Sequence, residues 1–202
     1  MQKYLLGLDA GNTVIKAVIF DLEGRELAHA GEEGHSRMPS PGHVERDLGE
    51  LWANAKRVIR TCLDKAGIAA GDIAAIGCAG HGNGLYALDK DGEPLIGIQS
   101  LDTRATGLVE EWAAAGVGDR TYPIGRQRPW PSQTPTLLFW LKRHRPDLFK
   151  RIGTVFFSKD FVVNRLTGER VSEVSDMSGA GMLDLAARRY DRTLMEAYGL
   201  GD

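Results

Sequence analysis

The stretch from Tyr4 to Asp21 reads Tyr-Leu-Leu-Gly-Leu-Asp-Ala-Gly-Asn-Thr-Val-Ile-Lys-Ala-Val-Ile-Phe-Asp. A short apolar run ends in an acid. A glycine turn follows with two small polar side chains, and a second apolar run leaves it with a lysine near its start. Each run has strand length and is bounded by turn residues. The segment therefore predicts a β-hairpin with Asp9 at its tip, and the rest of the chain has to be arranged around it. Gly11 lets a backbone approach a ligand closely. Asn12 and Thr13 bring donors, and successive turn amides can form an anion-binding nest. Asp9 is placed to hold Mg²⁺, directly or through water, since that hard cation wants oxygen ligands. Lys16 can reach back toward a phosphate oxygen. An ordinary hairpin whose Asp and Gly merely make the turn fits the same letters.

The 202 residues suffice for one large domain or two small ones, and 43% apolar with 26% charged residues suits a globular protein with a sizeable core. A net charge of -2 gives no basic surface for nucleic acid. The opening Met1-Gln2-Lys3 leads into too short an apolar run for a signal peptide. No apolar stretch approaches membrane-spanning length. Cys62 and Cys78 lie in apolar patterns and read as buried thiols rather than a disulfide. The expected setting is the cytoplasm.

Further along, Arg25 to Ala30 predicts a third strand of the meander, and Glu32 to Val44 a loop. His29, His35 and His43 fall nearby without zinc-site spacing and read as surface residues. Asp47 can cap a helix, with Glu50 as its capping-box partner. Leu48, Leu51, Trp52, Ala55, Val58, Ile59, Cys62 and Leu63 form its apolar face, and Gly67 ends it. Ile73 to Ala79 predicts a strand buried on both faces, as in a parallel sheet. It leads into Gly80-His81-Gly82-Asn83-Gly84, at the strand end where α/β proteins place ligands, with His81 and Asn83 exposed. Leu85 to Leu88 and Pro94 to Gln99 read as a hairpin. Asp102 either caps the next helix or binds a ligand hydroxyl. Helices are expected over Thr106–Ala115 and Pro135–His144, with Tyr122–Ser132 irregular between them and Pro146 breaking the second. A short strand over Thr154–Phe157, a helix ending at Gly168 and a last helix over Asp191–Tyr198 complete an α/β domain with a mixed sheet.

Asp9-x-Gly11-x-Thr13-x-x-Lys16 between two N-terminal strands resembles the first phosphate loop of the actin-like ATPases. More of the chain resembles the N-terminal domain of one group in that superfamily, the FGGY carbohydrate kinases. The further motifs are Pro41-Gly42-His43-Val44-Glu45-Arg46-Asp47 followed by Trp52, Asp102-Thr103-Arg104, Ser158-Lys159-Asp160-Phe161 with Leu166-Thr167-Gly168-Glu169, and Ser175-Asp176 followed by Gly181-Met182-Leu183-Asp184. The loop from Gly80 to Tyr86, with Ser100-Leu101-Asp102, looks most like the L-xylulose kinase and polyol kinase branch. Glycerol kinases carry an Arg-Glu pair at Gly82-Asn83, and D-xylulose kinases carry Met-His in that loop. A lysine usual in the family's helix is replaced by Leu137.

The resemblance implies a ribonuclease H-like (actin-like ATPase) α/β fold with a mixed sheet flanked by helices. It implies ATP-dependent phosphorylation of a sugar or polyol, with L-xylulose or erythritol as examples, and ATP and Mg²⁺ as cofactors. Asp9 would orient the metal, and Gly11, Asn12, Thr13 and Lys16 would face phosphate. His81, Gly82, Asn83, Asp102, Trp130 and Gln133 would face the sugar. The partner is a small molecule, not nucleic acid or membrane, and a homodimer is compatible with the reading. Residues 1–202 would be an incomplete sugar-binding domain, with the catalytic base beyond Asp202 and the ATP-binding domain absent from this chain. The rival readings are a metal-dependent nuclease on the related RNase H-like fold and a non-catalytic sugar-sensing module.

Overall fold

The computed structural model describes residues 3–201, so the Met1-Gln2 opening lies outside the described residues. The N-terminal alternation of apolar and small or polar residues makes the hairpin. Strand β1 (Tyr4–Ala10) turns into β2 (Val14–Asp21), antiparallel, with Asp9 opposite Lys16. Strand β3 (Glu26–Glu33) extends the meander. Leu6, Leu8 and Ala10 on β1 and Ile15, Ala17 and Ile19 on β2 are buried. Because strand side chains alternate, Asp9 and Lys16 lie together on the other face.

Two short strands, β4 (Ser36–Arg37) and β5 (Glu45–Arg46), occupy what the sequence suggested was only loop. They belong to a second sheet. Helix α1 (Leu48–Ala66) follows, with Asp47 as N-cap accepting from the Glu50 amide at 2.9 Å and Gly67 ending it in the left-handed region at φ 65°. The reciprocal half of the expected capping box is missing. The Glu50 carboxylate instead takes the Nδ1 and backbone amide of His35 at 2.6 and 3.3 Å. The apolar face of α1 closes over β2 and β3.

Strand β6 (Ile73–Gly80) pairs in parallel with β1, giving a four-stranded mixed sheet in the order β3-β2-β1-β6. The expected burial of both its faces does not hold, and Ile76 is 44% exposed. The cause is position. Strand β6 is the edge of its sheet, so its apolar residues lack a neighbour on the far side.

The doubly buried strand is β7 (Leu85–Asp89), between β8 (Pro94–Ile98) and β9 (Ile152–Phe156) in a five-stranded antiparallel sheet ordered β4-β5-β8-β7-β9. Its alternate residues serve two cores. Tyr86 and Leu88 join the core under the first sheet. Leu85 and Ala87 join Ile98 and the helix residues Leu137, Leu138 and Leu141. Leu137 is fully buried there, which suits leucine and not a free lysine.

Helices α2 (Thr106–Ala114), α3 (Val117–Gly125) and α4 (Thr134–His144) come next. Helix α3 takes in Tyr122–Gly125, expected to be irregular. Pro146 ends α4 but also starts α5 (Pro146–Arg151), as proline suits a first helical turn. Helix α6 (Ser158–Thr167) ends at Gly168 as expected. The small-residue segment holds α7 (Val174–Met177) and a 3₁₀ turn. A minor hairpin of β10 (Leu183–Asp184) and β11 (Arg189–Tyr190) precedes α8 (Arg192–Ala197). Both cysteines are free thiols, Cys62 buried and Cys78 half-buried on β6. Among the described residues no helix is long and apolar enough to cross a membrane.

Candidate functional site

Parallel pairing puts the ends of β1 and β6 side by side, with Ala10 opposite Gly80. The turn at Gly11–Thr13 and the loop at Gly80–Gly84 therefore leave the same edge of one sheet, the usual place for ligands in α/β folds. Gly80 is forced by crowding: a Cβ there would lie 2.5 Å from Ser158 Oγ and 3.1 Å from the Ala10 carbonyl. Gly84, at φ 79°, would bring a Cβ to 2.5 Å from the Ile98 carbonyl.

The turn is tied into the second sheet. Asn12 Nδ2 donates to Ser100 Oγ at 2.9 Å, and Gln99 Nε2 donates to the Asn12 carbonyl at 2.8 Å. Ser36 Oγ holds Gln99 Oε1 at 2.6 Å, and Ser132 Oγ donates to the Ser100 carbonyl at 2.7 Å. Gly84 N in turn donates to the Ser132 carbonyl at 2.9 Å. Gln99, Ser100 and Ser132 thus connect turn and loop. Sequence reading gave Gln99 and Ser132 no role and used Ser100 only in a family motif, because the partners of these polar residues lie far off in the chain.

The Asp9 carboxylate makes no hydrogen bond among the described residues, which leaves it available. Lys16 is exposed opposite it. One carboxylate fits Mg²⁺, which commonly takes one or two protein carboxylates and completes its shell with water and phosphate oxygens. Among the described residues no three His, Cys, Asp or Glu side chains gather at one point. The nuclease reading needs such a convergence of acids.

The residues expected to face sugar divide. His81 is not exposed as expected. Its Nε2 lies 2.7 Å from Tyr86 Oη and its Nδ1 3.4 Å from the Gly82 carbonyl. A carbonyl can only accept, so Nδ1 carries the hydrogen and Nε2 accepts from Tyr86. Burial, reinforced by Arg46 and opposed by the Gly82 carbonyl and by Asp9, takes the His81 pKa down to about 4, so the ring is neutral at pH 7. The Tyr86 phenol is pushed upward by burial.

Asp102 neither caps a helix nor presents a free carboxylate. The N-cap of α2 is Ala105. The Asp102 oxygens accept from Val44 N at 2.6 Å, from Arg104 N and Nε at 2.9 Å, and from Arg104 Nη2 at 2.8 Å. Arg104 is itself buried and also reaches Glu45 at 2.8 Å. Asp102 therefore braces the Pro41–Asp47 segment against the start of α2, and the ligand role suggested for it is withdrawn.

Asn83 and Gln133 differ from these. Gln133 is fully buried; its Nε2 donates to the Gly179 carbonyl at 3.0 Å, while its Oε1 has no partner. Asn83 sits in the left-handed region at φ 62°, with its Oδ1 buried and equally unpaired. Both carboxamides flank Gly179, where a Cβ would come 3.3 Å from Asn83 Nδ2. A Cβ on Gly82 would meet Asp176 Oδ1 at 3.0 Å. Asp176 pairs with Lys159 at 2.8 Å, and Lys159 also holds Asp160 at 2.7 Å. Burial alone would pull the Lys159 pKa down, but the two carboxylates more than compensate and hold it above its ordinary value. The 173–181 segment thus backs the Gly80–Gly84 loop. Trp130 is 39% exposed, and its carbonyl accepts from Gln133 N at 3.1 Å, so it borders the same region.

Comparison with known proteins identifies a family. The family profile described as the FGGY family of carbohydrate kinases, N-terminal domain, matches residues 4–202. The chain is 36% identical over 203 residues to an L-xylulose/3-keto-L-gulonate kinase of Escherichia coli (strain K12), covering 100% of this chain and 41% of the relative. It is 36% identical over 202 residues to an autoinducer-2 kinase of Salmonella paratyphi A, covering 98% of this chain and 38% of that protein. Among solved structures, a xylulose kinase from Rhodospirillum rubrum superposes with a TM-score of 0.90 at 28% identity, covering 98% of this chain and 41% of that one. The chain thus spans about two-fifths of the length of the curated relatives it matches.

Proposed function

The chain belongs to the FGGY family of carbohydrate kinases, and from that premise we propose that it forms the sugar-binding part of an ATP-dependent sugar or polyol kinase. L-xylulose is the leading candidate substrate and erythritol the polyol to test beside it. The observation that carries this reading is the juxtaposition of the Gly11–Thr13 turn with the Gly80–Gly84 loop at one sheet edge. One bears free turn donors and an available carboxylate. The other is bordered by two buried, unpaired carboxamide oxygens.

In this reading Gly11, Asn12, Thr13 and Lys16 face phosphate, and Asp9 holds Mg²⁺ through its carboxylate. When bound, the nucleotide supplies the phosphoryl group and the metal offsets its charge. Asn83 Oδ1 and Gln133 Oε1 accept hydrogen bonds from sugar hydroxyls, and Gly82 and Trp130 border them. The chain's contribution is to orient the acceptor hydroxyl toward the turn, and positioning of this kind supplies much of the rate in phosphoryl transfer. An acceptor lacking a hydroxyl would leave a buried oxygen unpaired, at a cost of about 1–3 kcal/mol. The working partner is a small molecule and the setting the cytoplasm.

The test is an ADP-release assay on the full-length protein that carries this chain, across L-xylulose, D-ribulose, erythritol and glycerol. Sugar-dependent turnover at about 1–100 s⁻¹ is expected. The 202-residue chain assayed alone should bind sugar weakly and turn over none, since it spans only about two-fifths of the length of its kinase relatives. Sugar binding by the full-length protein without ADP release would establish the sensing module instead.

A further inference from the structure

Arg46 lies behind the phosphate turn and is only 3% exposed. Its Nη1 donates to two consecutive turn carbonyls, Gly11 at 3.1 Å and Asn12 at 3.0 Å. Among the described residues its Nε and Nη2 find no partner, and no carboxylate forms an ion pair with it. A buried cation without an ion-pair partner is costly. A plain packing role would be served better by an apolar residue or a glutamine.

The backbone shows what this arginine does. The next carbonyl, that of Thr13, accepts from Gly34 N at 2.8 Å. Three successive carbonyls of the turn are thus held from the protein side. In a trans peptide the carbonyl of one residue and the amide of the next point in opposite directions, and the described chain contains no cis peptide. Holding the Gly11 and Asn12 carbonyls inward therefore turns the amides of Asn12 and Thr13 outward. Those two amides donate to no group of the chain among the described residues. Gly34 makes room for the device: a Cβ there would lie 1.5 Å from Arg46 Nη2.

We infer that Arg46 is a positioning residue that aims the Asn12 and Thr13 amides at the transferred phosphoryl group, with Gly34 as the space it requires. The inference rests on the kinase reading for the identity of the anion. The sequence motifs include Arg46 without giving it a role, and Gly34 lies outside them.

The test uses Arg46→Met, Arg46→Lys and Gly34→Ala in the full-length protein, with kcat, both KM values and thermal midpoints. Arg46→Met should lower kcat by about 10²-fold, the scale of a misplaced reacting group. It should raise the KM for ATP and leave the KM for sugar within about 2-fold, a split that general destabilisation would not give. Arg46→Lys should recover part of kcat. Gly34→Ala should act in the direction of Arg46→Met, yet add no further loss in the Arg46→Met background. In parallel, the ¹⁵N amide resonances of Asn12 and Thr13 should shift on titration with ATP in the wild type and not in Arg46→Met. Wild-type kinetics together with wild-type amide shifts in Arg46→Met would overturn the inference. A wild type whose amides respond to ATP but which turns over no sugar would break the kinase reading and leave the Arg46 assignment standing.

Discussion

The two halves of the site are built on different terms. On the side proposed for phosphate, a contiguous stretch from Asp9 to Lys16 uses mainly backbone, and its carbonyls are held from behind by Arg46, Gln99 and Gly34. On the side proposed for sugar, Asn83 comes from one segment and Trp130 and Gln133 from another, and the Asn83 and Gln133 side-chain oxygens are buried without partners. The first half has its turn carbonyls finished without a ligand, and its unpaired groups among the described residues include the outward Asn12 and Thr13 amides and Arg46 Nε and Nη2. The second carries a deficit that a ligand's hydroxyls can remove, because an unpaired buried acceptor is expensive. A backbone cradle can serve any phosphoryl donor, whereas side-chain acceptors can discriminate among polyols. One half can therefore stay fixed across a family while the other changes substrate.

The largest expected effect removes the one carboxylate of the finished half. Asp9→Asn in the full-length protein keeps the size of the side chain and loses its charge. The kcat for sugar phosphorylation should fall by about 10²–10³-fold, the range seen when one preorganised electrostatic group is removed. Sugar affinity by calorimetry should stay near wild type. A mutant with wild-type kcat would show that Asp9 only shapes the turn.

An intermediate effect is expected on the unfinished half. Gln133→Ala should raise the KM for sugar by about 5–150-fold, corresponding to the loss of roughly 1–3 kcal/mol. The KM for ATP should not follow. At position 83 the substitution has to respect the left-handed backbone. Asn83→Gly keeps that conformation and deletes the side chain, whereas Asn83→Ala adds strain. If the oxygen matters, both should raise the sugar KM, and only Asn83→Ala should also lower the thermal midpoint markedly. Unchanged sugar KM in all three variants would make these side chains structural and erase the contrast between the halves.

The same contrast governs what the sequence made legible. The hairpin, the capped helix α1 and the Asp9–Lys16 pattern depend on neighbours within a few residues, so local periodicity and turn chemistry reveal them. The error at β6 has another origin. Its apolar run is what a central strand requires, but strand order decides burial, and order is a long-range property. The run that is buried on both faces, Leu85–Leu88, is shorter and looked like a plain hairpin arm. His81 was expected to be exposed and Asp102 to cap a helix or bind a ligand hydroxyl, since composition shows a polar residue near a glycine loop or strand end but not its partner. Tyr86 and Arg104 are those partners. Arg46 escaped notice for the same reason: its meaning lies in carbonyls about 35 positions away, at separations of 35 and 34 residues.

The smallest expected effect concerns His81, which stands where the two halves meet, between the influence of Asp9 and the Gly82–Asn83 loop. Burial is the main reason its pKa drops from 6.5 to about 4. In the unfolded chain the ring regains its ordinary value, so between those limits the unfolded state binds more protons than the folded one. Stability tied to the neutral ring is therefore complete above about pH 6.5 and is lost as pH falls toward 4. Carboxylates titrate in the lower part of this window too, so the informative quantity is a difference. His81→Gln retains an amide that can pair with Tyr86 and removes the titration. The thermal midpoint of the wild-type chain should drop further than that of His81→Gln between pH 7 and pH 4.5. The expected gap is a few degrees, on the scale of about 2–4 °C per kcal/mol for a domain of this size. Over pH 6–8, where the ring stays neutral, the sugar KM of the full-length protein should show no histidine titration. Parallel melting profiles for the two chains, or a sugar KM that titrates near pH 6.5, would place His81 in solvent and return it to the open half of the site.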